Sequence, residues 1–135
     1  WQKNLIVFLA PLFVFSFEYQ IWVNSLKAFI AFCFVSSSIY LINDCIDKKS
    51  DKKHPIKKYR IIASGKVSEK SAIRLSIILL IFSLSIGFLL NKNVGCIIIL
   101  YYCIQILYCF YLKHIPLLEF FCIASGFIMR SIAGG

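Results

Sequence analysis

The segment Ile21 to Ile42 constrains this chain most: it is apolar throughout except for a few small polar residues, and Lys27 is its one charge. A helix needs about 20 apolar residues to cross the hydrocarbon core of a bilayer. Inside lipid the backbone must satisfy its own hydrogen bonds, which a helix does and an open strand does not. Comparable runs follow at Ala72–Leu90, with Arg74 at its entry, at Val94–Leu112, and from about Ile115 to Ala133. Leu5–Phe17 is apolar but short, and it meets Glu18, Tyr19 and Gln20. With 60% hydrophobic and 16% charged residues and a mean hydropathy of +0.82, there is too little polar surface for a water-soluble globule. The expected fold is all-α: a polytopic transmembrane helix bundle forming a single domain over 1–135. Its five helices are expected near 4–17, 21–51, 68–90, 94–112 and 115–133. Pro11 is expected to kink the first. The chain opens on Trp1 and closes on Gly134-Gly135 within an apolar stretch, so a piece of a longer bundle is expected.

The charge is not spread evenly. Asp44, Asp47, Asp51 and Glu69 fall between positions 44 and 70, together with Lys48, Lys49, Lys52, Lys53, Lys57, Lys58, Arg60, Lys66 and Lys70. The net charge of +9 is therefore concentrated at one membrane face and is not read as a nucleic-acid footprint, and no nucleic-acid partner is expected. Basic loops gather on the cytoplasmic side beside anionic lipids. The loop 44–70, Lys3 and Lys113 are thus placed in the cytoplasm, and Asn91-Lys92-Asn93 turns on the far side. The six cysteines form no Cys-x-x-Cys pair, and they read as small polarisable packing residues rather than a zinc site or disulfide framework.

The helix from Ile21 continues into the acidic run because nothing breaks it before Pro55. Asn43, Asp47 and Asp51 are then spaced i, i+4, i+8, a slowly drifting stripe at about 100° per residue, with Asp44 near the same face. Pro55 disfavours helix at His54, Ser64-Gly65 reads as a turn, and Ser68 or Ser71 caps the next helix. Carboxylates next to Lys57, Lys58, Arg60 and Lys66 suit a phosphate ester held through Mg²⁺, which takes oxygen ligands, usually one or two carboxylates plus phosphates and water. Such a cluster stabilises a departing diphosphate. The plainer alternative is a solvated, salt-bridged helix end with a polybasic lipid anchor. His54 and His114 have no metal-ligand spacing and are assigned to structure or to phosphate contact.

Asn43-Asp44-Cys45-Ile46-Asp47-Lys48-Lys49-Ser50-Asp51 resembles the Asn-Asp-x-x-Asp-x-x-x-Asp motif of the UbiA superfamily of intramembrane prenyltransferases. His54-Pro55-Ile56-Lys57, Arg60, Ile62-Ala63-Ser64-Gly65, the opening Trp1-Gln2-Lys3-Asn4, Leu112 to Glu119, and Gly126 to Gly135 resemble its phosphoribosyl-transferring branch. The resemblance implies a bundle of about nine helices, of which this chain supplies the first half. It also implies Mg²⁺-dependent transfer of 5-phosphoribosyl from phosphoribosyl diphosphate to a polyprenyl (decaprenyl) phosphate, with release of pyrophosphate. Asn43, Asp44, Asp47 and Asp51 are then the catalytic set, with Asp44, Asp47 and Asp51 as Mg²⁺ ligands. Lys57, Arg60, Lys113 and Lys3 bind substrate phosphate, and Tyr108 and Arg130 line the same cavity. Two positions depart from the family pattern: Ile61 stands where Pro is usual, and Glu119 where Asp is usual.

Two other readings stay open: a UbiA-type enzyme moving a prenyl group from a prenyl diphosphate to an aromatic or other acceptor, and a non-catalytic lipid-binding relative. Gly126 and Gly134 are read as helix-packing positions. Membrane lipids are expected partners in every case, in a bacterial inner or plasma membrane, and the oligomeric state is left open, a homo-oligomer included.

Overall fold

A computed structural model describes residues 2–13, 18–111 and 116–134, with backbone alone at 10, 116–121 and 134. The longest element is helix α2, Tyr19–Lys53, with 35 residues. At 1.5 Å per residue it is about 52 Å long, against a hydrocarbon core of about 30 Å, so its last turns project beyond the membrane. Pro55 ends it. His54 takes an extended conformation (φ −86, ψ 135), and its N–H donates back to the Asp51 carbonyl at 3.1 Å.

Three helices follow α1 (Leu9–Phe13) and α2: α3, Glu69–Leu90; α4, Lys92–Phe110; and α5, Pro116–Gly134. The chain is that of an integral membrane protein: α2, α3 and α4 are each long and apolar enough to cross a bilayer. Gln2–Phe13 and Cys122–Ala133 are apolar but shorter. The described residues contain no strand.

Gln2–Phe8 winds as a 3-10 helix and passes into α1, whereas the sequence pattern suggested one α-helix over 4–17. Pro11 accounts for the change: it has no N–H to donate backward, and it is tolerated in α1 because it falls in the first turn. Residues 14–17 lie outside the described set.

Helices α2 and α3 pack through small and polar residues. The Ser83 hydroxyl donates to the Ala31 carbonyl at 2.8 Å, and the Ser38 and Ser76 hydroxyls meet at 2.9 Å. In lipid no hydrophobic force drives helices together, so close backbone approach and interhelical hydrogen bonds must do so. The turn to α4 is equally tight. Asn91 caps α4 by accepting from the Asn93 N–H at 3.0 Å. At Gly87 an added Cβ would lie 2.6 Å from Ile98 Cδ1 and 3.3 Å from Gly95 Cα. Large apolar side chains such as Leu89, Ile81 and Phe82 stand exposed on the outer face of α3.

Between α2 and α3 the basic loop is pinned rather than loose. Ile62 and Ala63 are buried. The Ser64 N–H bonds the Arg60 carbonyl at 2.8 Å, and Gly65 takes φ +80, the left-handed region that favours glycine. Ser68 then caps α3, accepting from the Ser71 N–H at 3.2 Å.

Candidate functional site

The projecting end of α2 divides its polar residues between two sides. Asp44 and Asp51, seven positions apart, are both bound by one nitrogen of Arg60: Nη1 donates to Asp44 Oδ1 at 3.0 Å and to Asp51 Oδ2 at 2.9 Å. The Asp51 side chain is only 4% exposed, so its charge requires this partner. Asp44 lies beyond the end of the apolar stretch at Ile42. Its carboxyl is raised above the usual value because partial burial strips water from it more strongly than Arg60 compensates, and Asp51 and Asp47 push the same way. His54 arranges the turn that delivers Arg60: its Nδ1 accepts from the N–H groups of Ile56 (3.2 Å) and Lys57 (3.3 Å). Its role here is structural.

Asn43 and Asp47 face another way. With Tyr40, Lys57, Arg60, Gln105 and Tyr108 they line a cavity of about 280 Å³. A smaller recess of about 60 Å³ adjoins it, sharing Tyr40 and Gln105 and bounded also by Lys3, Tyr101 and Arg130. Of the residues singled out from sequence, Asn43, Asp47, Lys57, Arg60 and Tyr108 thus meet in one cavity, and Lys3 and Arg130 in its neighbour. Asp44 and Asp51 stand behind Arg60. Lys113, His114 and the Glu119 side chain lie outside the described residues.

Arg130 is the least expected feature in physical terms. It is a buried cation in a membrane helix, 7% exposed, and among the described residues its partners are all neutral. Nε donates to Asn4 Oδ1 at 2.7 Å, Nη1 to the Gly126 carbonyl at 2.9 Å, and Nη2 to the Tyr101 hydroxyl at 2.6 Å. The guanidinium also lies 4.8 Å from the centre of the Tyr101 ring. Ser36 joins the group through Asn4 (3.4 Å) and Tyr101 (3.5 Å). On α2, Ser36 sits about 10 Å below Asn43. A charge so deep in a bundle is costly without an anion nearby and usually marks a substrate path. Gly126 leaves room for it, since an added Cβ there would approach Nη1 to 3.2 Å.

Sequence reasoning passed over Tyr40, Tyr101, Gln105 and Asn4. One signal was available: Tyr101, Gln105 and Tyr108 follow an i, i+4, i+7 spacing, a polar stripe on an otherwise apolar helix. A larger recess of about 340 Å³, among Ile21, Asn24, Asn91 and Asn93 at the opposite end of the bundle, has no charged side chain in its lining.

Among the described residues no three His, Cys, Asp or Glu side chains converge to cage a metal ion by themselves. Mg²⁺ does not need such a cage, because one or two carboxylates and substrate phosphates suffice. The Asn43 amide oxygen and the Asp47 carboxylate on the cavity wall are oxygen donors of the right chemistry. The residues therefore fit a cation that arrives with phosphate.

Comparison with known proteins finds relatives that match along the chain. Over 140 aligned residues the whole chain is 42% identical to a decaprenyl-phosphate phosphoribosyltransferase of Mycolicibacterium smegmatis, covering 44% of that protein. It is 36% identical to the protein of the same name in Corynebacterium glutamicum, covering 42% of it. A digeranylgeranylglyceryl phosphate synthase of Methanosphaera stadtmanae is 31% identical over 89% of the chain and 42% of its own length. The chain thus spans less than half the length of these relatives. Residues 4–135 match the UbiA prenyltransferase family, and the chain belongs to that family.

Proposed function

We propose that the protein containing this chain transfers 5-phosphoribosyl from phosphoribosyl diphosphate to a polyprenyl phosphate. A phosphate oxygen of the lipid attacks C1 of the ribose. The C1–O bond to the diphosphate breaks, and pyrophosphate leaves with the bonding pair. The observation that carries this reading is the pair of adjoining recesses, one holding Lys57 and Arg60 and the other Lys3 and Arg130, joined at Tyr40 and Gln105. A ribose bearing both a diphosphate and a 5-phosphate needs cations at two places, whereas a prenyl diphosphate needs them at one. The relatives named for phosphoribosyl transfer support it.

In this account Asp47 and Asn43 hold Mg²⁺, which when bound offsets the charge developing on the departing diphosphate. Lys57 and Arg60 neutralise the remaining phosphate oxygens. The guanidinium has five N–H donors, and Nη1 alone serves both carboxylates. Asp44 and Asp51 thereby hold Arg60 in place, so little reorganisation is needed when phosphate arrives. Lys3 and Arg130 receive the second phosphate. The loop 44–70 faces the cytoplasm of a bacterial plasma membrane, where a water-soluble sugar diphosphate can reach it.

A second reading, prenyl transfer from a prenyl diphosphate, is supported by the synthase from Methanosphaera stadtmanae. Full-length protein in membranes separates the two. It is given labelled phosphoribosyl diphosphate with polyprenyl phosphate, or prenyl diphosphate with an aromatic acceptor. Ribosylated lipid forming in the first mixture supports the proposal. Product forming only in the second overturns it.

A further inference from the structure

Tyr40 and Gln105 line both recesses, yet neither is charged. Each recess brings its own cations, Lys57 and Arg60 in one, Lys3 and Arg130 in the other. The two neutral side chains therefore stand at the join between the two cation pairs. Helical spacing puts them there. Tyr40 precedes Asn43 by three residues on α2, and Gln105 follows Tyr101 by four and precedes Tyr108 by three on α4. Gly126 supports Gln105 from behind: a Cβ added there would lie 3.5 Å from Gln105 Nε2 as well as 3.2 Å from Arg130 Nη1. Nε2 donates to the Cys122 carbonyl at 3.5 Å, a long contact that uses only one of its two hydrogens. Among the described residues, Gln105 Oε1 and the Tyr40 hydroxyl have no hydrogen-bond partner. Such groups within an apolar bundle are costly unless water or a ligand meets them.

We propose that Gln105 and Tyr40 determine specificity for the sugar ring, an assignment that rests on the phosphoribosyl reading. A ribose with a diphosphate on C1 and a phosphate on C5, seated across the two recesses, has its ring at their junction. There the Gln105 carboxamide bridges the cis-vicinal 2- and 3-hydroxyls. Oε1 accepts from one, and the free hydrogen on Nε2 is donated to the other. The Tyr40 hydroxyl adds a donor to the same pair from the α2 side. A site built to bond hydroxyls rejects an analogue that lacks them, because its own polar groups are then left unmet. A prenyl chain lying at the junction would leave both residues unmet, so the same two side chains discriminate against a prenyl diphosphate donor.

The test uses full-length protein in membranes with phosphoribosyl diphosphate, polyprenyl phosphate and Mg²⁺. Ribose 5-phosphate, its 2-deoxy and 3-deoxy analogues, and pyrophosphate serve as competing inhibitors. The parent protein forms ribosylated lipid, and each deoxy analogue inhibits it about fivefold more weakly than ribose 5-phosphate does. Gln105→Leu raises the KM for phosphoribosyl diphosphate about tenfold and is inhibited equally by all three sugar phosphates. Its inhibition by pyrophosphate and its KM for polyprenyl phosphate match the parent protein. Tyr40→Phe, which removes one exposed hydroxyl, raises the KM for phosphoribosyl diphosphate about threefold. The proposal is overturned if Gln105→Leu keeps the preference for ribose 5-phosphate, or if it loses pyrophosphate inhibition to the same extent, the mark of a general structural defect. It is equally overturned if Tyr40→Phe behaves as the parent protein, or if the parent protein is inhibited equally by the three sugar phosphates or by none. A parent protein that makes no ribosylated lipid but consumes prenyl diphosphate overturns the phosphoribosyl reading itself, and this assignment with it.

Discussion

Arg60 stands 2.9 Å from Asp51, a carboxylate with only 4% of its side chain exposed, and this contact fastens the basic loop to the end of the longest helix. The two residues lie on either side of the break at Pro55, so the ion pair fixes the path of the chain between them. Asp51→Asn removes the buried carboxylate of the pair but leaves Arg60, 39% exposed, with Asp44 and water. Losing a hydrogen bond to a charged group costs about 1.5–3 kcal/mol. The expected outcome is a lowered melting temperature in detergent and faster limited proteolysis between 54 and 66. Asp47→Asn, on the cavity wall, should leave both nearly unchanged.

The Lys48–Glu69 pair is the opposite case. It is short, at 2.6 Å, but half of the Glu69 side chain is exposed. Water and salt screen such a pair, and Glu69→Gln should leave the melting temperature almost unchanged. Thermal melts at low and high ionic strength check this.

At Arg130 the loss should be large and chemically specific. Arg130→Met removes donors to Asn4, Tyr101 and the Gly126 carbonyl together, leaving the Asn4 and Tyr101 side chains with only their longer contacts to Ser36. The expected cost is roughly 2–4 kcal/mol, read from thermal unfolding. Arg130→Lys restores the charge but not the fork that reaches three partners, so it should recover only part of the loss.

Gly87 and Gly95 bring α3 and α4 together, but the two positions should respond unequally. A methyl on Gly87 meets the end of the Ile98 side chain, which is fully buried and has little room to turn, and the Gly95 backbone, 3.3 Å away, which cannot turn aside. Gly87→Ala should destabilise by about 1–3 kcal/mol despite the better helix propensity of alanine. A methyl on Gly95 meets the ring of Phe88, which is 48% exposed and can turn toward lipid. Gly95→Ala should therefore cost less in the same melt.

How much of this was legible in the sequence varies by residue. The three membrane-crossing helices follow from apolar runs with Pro55 and Asn91 as stops, which is local information. The cavity membership of Asn43 and Asp47 also follows the i, i+4 stripe. Asp51 does not. At about 100° per residue, positions seven apart differ by only about 20°, so Asp51 shares its face with Asp44 more closely than with Asp47. The spacing contained that fact, but choosing between the two partners required knowing where Arg60 falls. That depends on the turn built by His54, Pro55 and Gly65. The Asn4–Ser36–Tyr101–Arg130 group was not legible, because residues 126 positions apart meet only through the packing of several helices. Even so, a polar stripe on α4 and an arginine in an apolar helix were both visible as costs awaiting an explanation.

The most direct test of the phosphate-site account is the rate of lipid ribosylation by full-length protein carrying Asp47→Asn. The reaction is run with saturating phosphoribosyl diphosphate, polyprenyl phosphate and Mg²⁺. Loss of a charge placed to stabilise the departing diphosphate should lower kcat by about 10²–10³, with a melting temperature like that of the parent. A kcat within a few-fold of the parent protein would contradict the account.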